Sequence, residues 1–404
     1  MRNGQSEDFI DRYLELTEYL PTHRIYRLWG ALALLAGATQ RRIWTEYDGK
    51  VLWSNLFIVL VGRPTAKKSN ALDPVKRLYS RTRRTNGKPA FHMVPDNITG
   101  PAMIKFVGEK AKEQDPLETG ELLEYSPVVW PVDEFADFCP KDDSAFMSEL
   151  CTLYNSAEEY AQGRIIRGDI LLRAPILTAI IAAQPATLES ILGSLAWDQG
   201  FCSRLIMVHA DRMEPRYPFI PIPKNTELNL MPELAAIREL YGQYFPSQAF
   251  KDDFWRWKQE GFLPRPEHTK LVNYVDRREI YFMKLAMLSA VSRGSKIALE
   301  TFDLDRARDW LLEAEALMPH IFDAMGMAGS DQKVLLEVHR QLIIQYRRTK
   351  LGFREAKVRA ALNRFIHSSQ VLAAWTSMKD QELFRLDHSG YYVPVELEED
   401  GPTV

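Results

Sequence analysis

The sequence predicts an α/β protein with added helical regions, and the patterns along its 404 residues carry that prediction. Between residues 45 and 215, short apolar runs alternate with segments of helical periodicity, which is typical of a parallel sheet with crossover helices. Outside this core, helical periodicity dominates residues 7–38 and 231–325. The apolar runs that we expect to form buried strands are residues 56–61, 90–94, 128–132, 176–182 and 205–208.

Breaks in composition divide the chain into six predicted segments. The stretch Glu214–Asn225 holds too many prolines for a helix or an inner strand. Three helical patterns followed by a hairpin around the His388-Ser389-Gly390 turn are typical of a winged helix. The segments are an N-terminal helical cap (1–44), an α/β core (45–215), a proline-rich linker (216–230), a helical region (231–326), a winged-helix-like domain (331–396) and an acidic tail (397–404).

The composition indicates a globular protein of the cytoplasm. Hydrophobic residues make up 46% and charged residues 26%, and the net charge is −3, so nucleic-acid binding would need local basic patches. Three cysteines show neither a CxxC pair nor zinc-ligand spacing. The apolar stretch Leu28–Thr39 is too short to cross a bilayer and predicts a buried helix, and the N-terminus lacks a signal core. We therefore expect no membrane segment.

A phosphate-binding loop is predicted where the first apolar run ends, in LFIVLVGRPTAKKSN. In such loops, G-x-x-x-x-G-K-[ST], backbone N–H groups surround the phosphates, the lysine reaches the β and γ phosphates and the hydroxyl binds Mg²⁺. Lys67 occupies the place of the second glycine, and the alternative is an ordinary strand before a basic helix start. A lysine in the first helical turn favours a bound anion. The expected nucleotide-binding residues are Gly62, Arg63, Pro64, Thr65, Ala66, Lys67, Lys68, Ser69 and Asn70.

An acidic pair follows the third apolar run, in VVWPVDE, 65 residues after Lys68. In P-loop ATPases the first carboxylate, here Asp133, holds Mg²⁺ together with the loop hydroxyl of Ser69, and the second, Glu134, polarises the attacking water. The sequence thus predicts ATP and Mg²⁺ as cofactors. Pro131 cannot donate to an inner ladder, so this strand should be bulged there or lie at an edge.

Two further polar residues border the later strands. Gln184 ends the fourth apolar run, where an amide can lie between the γ phosphate and the carboxylates; alternatively, it only caps the next helix. Arg204 begins the fifth run, where an arginine can point out of its own subunit toward a neighbour's γ phosphate as an arginine finger; alternatively, it is a surface arginine. We expect Lys68, Glu134, Gln184 and Arg204 to take part in catalysis.

Two basic segments are candidates for contact with nucleic acid. Residues 161–175 predict a hairpin with Gly168-Asp169 in its turn, which could grip a strand or be a plain surface hairpin. Residues 331–367 carry nine basic and three acidic side chains, which could contact phosphates or form a solvated helix face. The candidate residues are Arg164, Arg167, Arg173, Arg347, Arg348, Lys350, Arg354 and Lys357.

Taken together, these motifs resemble a known family. LFIVLVGRPTAKKSN, VPDNITGPAMIKFV, VVWPVDEF, LCTLYNSAEEY, LLRAPILTAIIAAQP and GFCSRLIMV, within roughly residues 7–210, resemble the phage and plasmid replication ATPases grouped as domain of unknown function 3987. The resemblance implies a RecA-like or superfamily 3-like P-loop core, found in mobile elements and often linked to primases. Gly62, Lys68 and Ser69 would contact nucleotide, Asp133 and Glu134 would contact Mg²⁺ and water, and Arg204 would take the finger position.

Three functions are compatible with these motifs. The leading expectation is an ATP-dependent replicative DNA helicase or helicase-like motor, assembled as a ring, expected to be a hexamer, on single-stranded or forked DNA and working with a separate primase. The second is an initiator or loader that binds DNA under the control of ATP without unwinding it. The third is a degenerate P-loop scaffold, in favour of which stands only Lys67 in place of glycine.

Overall fold

The computed structural model describes most of the chain and is 55% helical and 19% strand. The described residues are 8–95, 98–116, 122–139, 143–156, 159–162, 170–192, 200–210, 226–295, 297–328, 331–364, 371–380 and 383–395. They form two compact units, which divide between Ile321 and Phe322. In the described part of the chain, no helix is both long enough and apolar enough to span a bilayer.

The elements are numbered in chain order. The strands are β1 Ile43–Tyr47, β2 Lys50–Trp53, β3 Phe57–Val61, β4 Glu113–Pro116, β5 Leu122–Val132, β6 Glu159–Gln162, β7 Ile170–Arg173, β8 Pro175–Ala183, β9 Leu205–His209, β10 Gly242–Gln243, β11 Phe245–Pro246, β12 Ala298–Leu299, β13 Phe384–Leu386 and β14 Tyr392–Pro394. The helices are α1 Phe9–Leu16, α2 Arg24–Thr39, α3 Ser69–Arg81, α4 Gly100–Glu109, α5 Phe135–Phe138, α6 Ser144–Asn155, α7 Pro185–Ile191, α8 Met231–Arg238, α9 Gln248–Gln259, α10 Val272–Val275, α11 Arg278–Ser292, α12 Thr301–Ala328, α13 Asp331–Thr349, α14 Glu355–Leu362 and α15 Val371–Asp380.

A five-stranded sheet, in the order β4-β5-β8-β3-β9, forms the centre of the first unit. The last four strands in this order are parallel, and β4 is antiparallel to β5. Every residue of β3 and β8 is buried, as expected for strands covered on both faces, and their uninterrupted apolar runs provide this. Four of the five predicted strands are therefore confirmed. The fifth, at residues 90–94, contributes an isolated parallel bridge between Met93 and Val129.

Two prolines lie within β5 without disturbing its regular pairing with β8. Val129 donates its N–H to His92 O on the side away from β8, at 3.0 Å. Because hydrogen-bonding direction alternates along a strand, Pro127 and Pro131 face that same side. The missing N–H groups therefore cost no bond to β8. The expected bulge at Pro131 is absent, and the proline instead faces the sparsely paired side of the strand.

Helix α2 is an internal element rather than a cap. All of its residues except Arg24 are buried, because it is apolar around its whole circumference. A Cβ on Gly37 would overlap the Tyr79 hydroxyl, which itself donates to Ala33 O. Glycine is thus needed for the close approach of α2 and α3. The predicted burial of this helix is confirmed, whereas its description as part of a cap is wrong.

The residues after the core belong to the same compact unit. Strand β10 pairs in parallel with β1, and Thr226–Leu230 forms a 3₁₀ helix. Within it, the carboxylate of Glu227 is fully buried and lies 2.6 Å from Arg77 Nε. The predicted linker is therefore wrong for residues 226–230, because an internal ion pair fixes them. Its remainder, 216–225, lies outside the described residues.

The described residues of the second unit contain the end of α12, three further helices and a hairpin. Strands β13 and β14 pair antiparallel, and Phe353, between α13 and α14, forms a bridge to Tyr392. Trp375 of α15 lies fully buried in the apolar core of this unit. The predicted order of helices and strands is confirmed among the described residues.

A buried ion pair gives a test of the packing in the first unit. Arg278 donates to both oxygens of Glu315, at 2.8 and 2.7 Å, and both side chains are nearly inaccessible. Because Glu315→Gln leaves a buried guanidinium without its counter-charge, we expect the free energy of unfolding to fall by about 3 kcal/mol. Its neighbour Glu313, in an exposed pair with Arg24 at 3.6 Å, is the control, and Glu313→Gln should cost less than about 0.5 kcal/mol. Urea titration followed by circular dichroism measures both, and equal losses would contradict this assignment.

Candidate functional site

Three predicted site segments follow neighbouring parallel strands at the same edge of the sheet. Gly62 follows β3, Gln184 follows β8 and Asp133 follows β5. The strand order places β8 between the other two, so the Gln184 end lies between the loop and the acidic pair. Neighbouring strands lie about 4.8 Å apart, which separates the ends of β3 and β5 by roughly 10 Å. This edge can therefore surround one small ligand.

The loop after β3 has a glycine-like backbone conformation at Lys67, the residue that replaces the second glycine of the motif. Pro64–Ala66 forms a 3₁₀ turn, and Lys67 adopts φ +50° and ψ +45°. This is the left-handed conformation, which a glycine adopts without strain. Lys67 thus takes the conformation that suits a glycine, and α3 begins directly afterwards at Ser69.

A tyrosine on α2 fixes the base of this loop. The Tyr26 hydroxyl donates to Val61 O at 2.7 Å and accepts from the N–H of Ala210 at 3.1 Å, so it joins the ends of β3 and β9. A Cβ on Gly62 would lie 2.7 Å from that hydroxyl and 3.0 Å from Ala66 Cβ. Gly62 is therefore required by close packing, and no side chain fits in its place.

Lys68 folds back over the loop. Its Nζ donates to Gly62 O at 2.6 Å and to Arg63 O at 3.1 Å, and only 7% of the residue is exposed. Burial lowers the pKa of Lys68, while the negative charge of Glu134 acts in the opposite direction. The ammonium is thus held at the mouth of the loop, with the Glu134 carboxylate close enough to influence it.

The acidic pair is divided between two environments. Asp133 is more than half exposed, and its Oδ2 lies 2.6 Å from Lys76 Nζ. Glu134 is half-buried and immediately precedes α5. Lys76 projects from α3, so a cation from the loop's own helix already lies against the carboxylate predicted to bind a metal. This second lysine was missed from the sequence; its position, eight residues after Lys68 on one helix, was the available signal.

The remaining loop residues differ in exposure. Arg63, Pro64, Thr65 and Ser69 are exposed, whereas Ala66 is buried. Asn70 is half-buried and donates from Nδ2 to Pro21 O at 3.4 Å. The hydroxyl of Ser69 thus stands at the start of α3 and is open to solvent, as a ligand to a small cation must be.

Gln184 does not act as a helix cap. It occupies the N-cap position of α7, but its side chain makes no capping hydrogen bond. The residue is half-buried. The alternative reading of this glutamine, as a simple cap, is therefore wrong, and its amide remains available at the strand tip.

Arg204 does not have the geometry of an arginine finger. It precedes β9 and so lies at the amino edge of the sheet, opposite to the loop. It is 8% exposed and donates to Gly200 O at 2.6 Å and to Asn155 Oδ1 at 3.3 Å. Because these bonds hold the guanidinium inside its own chain, the prediction that it points toward a neighbouring subunit does not fit this structure, and neither does a surface arginine.

The structure describes part of the two basic segments. Strands β6 and β7 form the predicted hairpin, but its turn, with Arg164 and Arg167, lies outside the described residues. Arg173 is exposed and lies 2.5 Å from Glu124. In the second unit the predicted cations are all exposed; they are Arg347, Arg348, Lys350, Arg354 and Lys357.

Comparison with known proteins leaves the family open. No family model matches the chain, and no curated protein matches it. The resemblance to mobile-element ATPases therefore rests on the motifs, and function must be argued from the strand-end geometry.

The left-handed Lys67 yields a direct test of the loop conformation. Lys67→Gly removes the steric cost of φ +50°, so we expect the free energy of unfolding to rise by about 1 kcal/mol. Ala66→Gly is the control, because Ala66 is buried in the 3₁₀ turn and φ there is not positive; it should lose about 0.5–1 kcal/mol. A Lys67→Gly protein that is less stable than the parent in urea titration would show that the loop does not hold this conformation.

Proposed function

We propose that this chain is an ATP-hydrolysing P-loop protein with a RecA-like core, which works as a replicative DNA helicase or helicase-like motor of a mobile genetic element. The proposal is based on the strand order β5-β8-β3. This order brings the acidic pair, a free amide and a lysine-containing loop to one sheet edge. Ligand sites in parallel sheets lie at the carboxyl ends of the strands.

The donor set fits a magnesium nucleotide. Hydroxyl and carboxylate oxygens, as on Ser69 and Asp133, suit a hard cation, and Mg²⁺ would supply charge neutralisation to the phosphates. Lys68 would exchange its bonds with the loop carbonyls for bonds to the β and γ phosphates. The start of α3 directs its N–H groups and the positive end of its dipole toward the same anion.

Two residues would act on the water that attacks the γ phosphate. Glu134 would accept a proton from that water; its electrostatic effect on Lys68 supports this role. Gln184, on the strand between loop and acids, has an uncommitted amide that can orient the water or respond to the γ phosphate. Asp133 would first have to leave Lys76 in order to bind the cation.

The rest of the proposed motor comes from the second unit and from the family resemblance. Three helices, a hairpin and the extra bridge at Phe353 support a winged-helix assignment. Exposed cations at the end of α13 and the start of α14 suit phosphate contacts on DNA. Assembly as a ring, and a separate primase as partner, follow the resemblance alone.

One observation favours the second candidate, an initiator or loader that ATP switches without unwinding. Arg204 is bound within its own chain, which removes the predicted means of completing a neighbour's site. The degenerate scaffold loses its only support, because Lys67 adopts the conformation that its position requires.

Hydrolysis by the Lys68→Ala variant tests the proposed site. We expect the rate of ATP hydrolysis with Mg²⁺ to fall at least tenfold, since the variant lacks the cation that faces the γ phosphate. Lys50→Ala, an exposed lysine on β2, is the control and should hydrolyse ATP like the parent. A phosphate-release assay with and without single-stranded DNA measures both, and an unchanged rate in Lys68→Ala would remove the assignment.

Unwinding of a forked duplex by the parent protein separates a motor from an ATP-controlled switch, because a switch leaves the duplex intact.

The pair of Lys76 and Asp133 makes a second prediction. Lys76→Met removes a cation that competes for the Asp133 carboxylate, so Mg²⁺ should support nucleotide binding at a several-fold lower concentration. Magnesium titration with a fluorescent ATP analogue measures the half-saturation point. An increased Mg²⁺ requirement would instead make Lys76 a phosphate ligand.

A further inference from the structure

A polar cavity lies toward the opposite edge of the sheet from the candidate nucleotide site. Its volume is about 770 Å³, which is in the range of small-ligand sites. It opens beside the hairpin that follows α3, where Arg84 N bonds Lys88 O and Gly87 takes φ +78°. It is lined by this hairpin, the segment after it, one turn of α4 and the start of β4.

The buried carboxylate at the floor of the cavity is paired with neighbouring basic side chains. Glu113 is 9% exposed, and its carboxylate contacts Arg84 at 2.8 Å, His92 at 2.9 Å and Arg238 at 3.2 Å. Burial raises the pKa of Glu113, but the hydrogen bond with His92 and the neighbouring positive charges more than offset this and hold it below its ordinary range. Behind this floor and outside the lining, Glu239 lies 3.5 Å from Arg84 and 3.3 Å from Arg238.

The rim of the cavity carries an excess of positive charge. Lys88 and Lys112 are exposed, and within the part of the chain that the structure describes neither ammonium contacts a carboxylate. Among the described residues of the lining, the acidic one is Glu113, which is already paired. Glu124 lies near enough to Lys112 to interact with it electrostatically, but it is not part of this lining. An incoming anion would therefore meet two exposed cations above a floor whose charges are already paired.

One wall of the cavity is apolar and includes an accessible ring. Phe106 of α4 is half-buried and lines the space together with Phe91, Met93 and Pro89. Nucleic-acid bases stack on such rings without regard to sequence, while lysines follow the phosphates. Asn86 and Gln114 also line the space; Asn86 Oδ1 accepts from Lys88 N at 3.0 Å, and Gln114 Nε2 donates to Glu124 at 2.6 Å.

We propose that this cavity binds nucleotide units of single-stranded nucleic acid, with a base against Phe106 and backbone phosphates on Lys88 and Lys112. It is separate from the predicted contacts at residues 161–175 and in the second unit. Helix α3 begins at the candidate nucleotide loop and ends at Arg81, immediately before the cavity hairpin. Helix α3, about 20 Å long, thus separates the two sites.

Strand binding in the absence of ATP tests the proposal independently of hydrolysis. Fluorescence anisotropy with a labelled 20-mer of deoxythymidine should show at least fivefold weaker binding by Lys88→Glu/Lys112→Glu. The matched double variant Lys50→Glu/Lys251→Glu reverses two exposed lysines elsewhere in the same unit and should bind within twofold of the parent. Phe106→Leu keeps an apolar wall without the flat ring and should weaken binding about fivefold.

Photocrosslinking locates the strand, so binding through the second unit cannot hide the result. With 5-bromodeoxyuridine in the oligonucleotide, we expect crosslinked peptides from residues 84–93 or 103–114, and their loss in Lys88→Glu/Lys112→Glu. Unchanged binding by that variant, or crosslinks confined to other peptides, would overturn the proposal. Binding of thymidine monophosphate at these lysines, without any loss of 20-mer binding, would also contradict a strand site.

A fluorescent ATP analogue separates this inference from the proposed function. The cavity variants should bind the analogue like the parent, because the two sites lie at opposite sheet edges. Normal binding of the analogue together with unchanged strand binding would overturn the cavity alone. Loss of analogue binding by the double variant would indicate a folding defect, which a lowered thermal unfolding midpoint identifies. Strand binding by Phe106→Leu then tests the cavity instead.

Discussion

The parallel, in-register pairing of β3 with β8 is the constraint on which the rest of the site depends. Phe57–Val61 pairs residue by residue with Ala179–Ala183, and Gly62 N donates to Ala183 O at 3.1 Å. This last bond carries the ladder one residue beyond β3, into the loop. A shift of one residue would turn every buried side chain to the other face. Burial on both faces thus fixes where the loop begins relative to Gln184.

The two edges of this sheet are used differently. At the carboxyl edge, Lys68 and Asp133 hold contacts that a ligand can replace. At the amino edge, the buried cations are committed to structure, in contrast to the exposed lysines of the cavity. Lys284 Nζ is buried and donates to Asn55 O and Oδ1 at 2.8 and 2.9 Å. Burial lowers the pKa of Lys284 well below its ordinary value. Arg204 belongs to this second group, which accounts for its intramolecular bonds.

Much of the fold could be predicted from local patterns, because apolar runs and helical periodicity report burial directly. The loop, the acidic pair and Gln184 follow neighbouring parallel strands, as their positions at the ends of apolar runs predict. The predictions that do not fit the structure concern residues whose environment depends on tertiary partners. The buried Glu227 in the supposed linker is explained by Arg77, and the inward orientation of Arg204 by Asn155, neither of which is near in sequence. The cavity beside Lys88 and Lys112 likewise arises from segments that only the fold brings together.

The central claim is that the ends of β3, β8 and β5 form one magnesium-nucleotide site. Hydrogen–deuterium exchange, with and without a non-hydrolysable ATP analogue and Mg²⁺, tests it most directly. We expect amides in residues 62–72, 133–136 and 184–188 to become protected together, and Lys68→Ala to abolish all three effects. Protection that is absent, or that appears in the loop without residues 133–136, would contradict it.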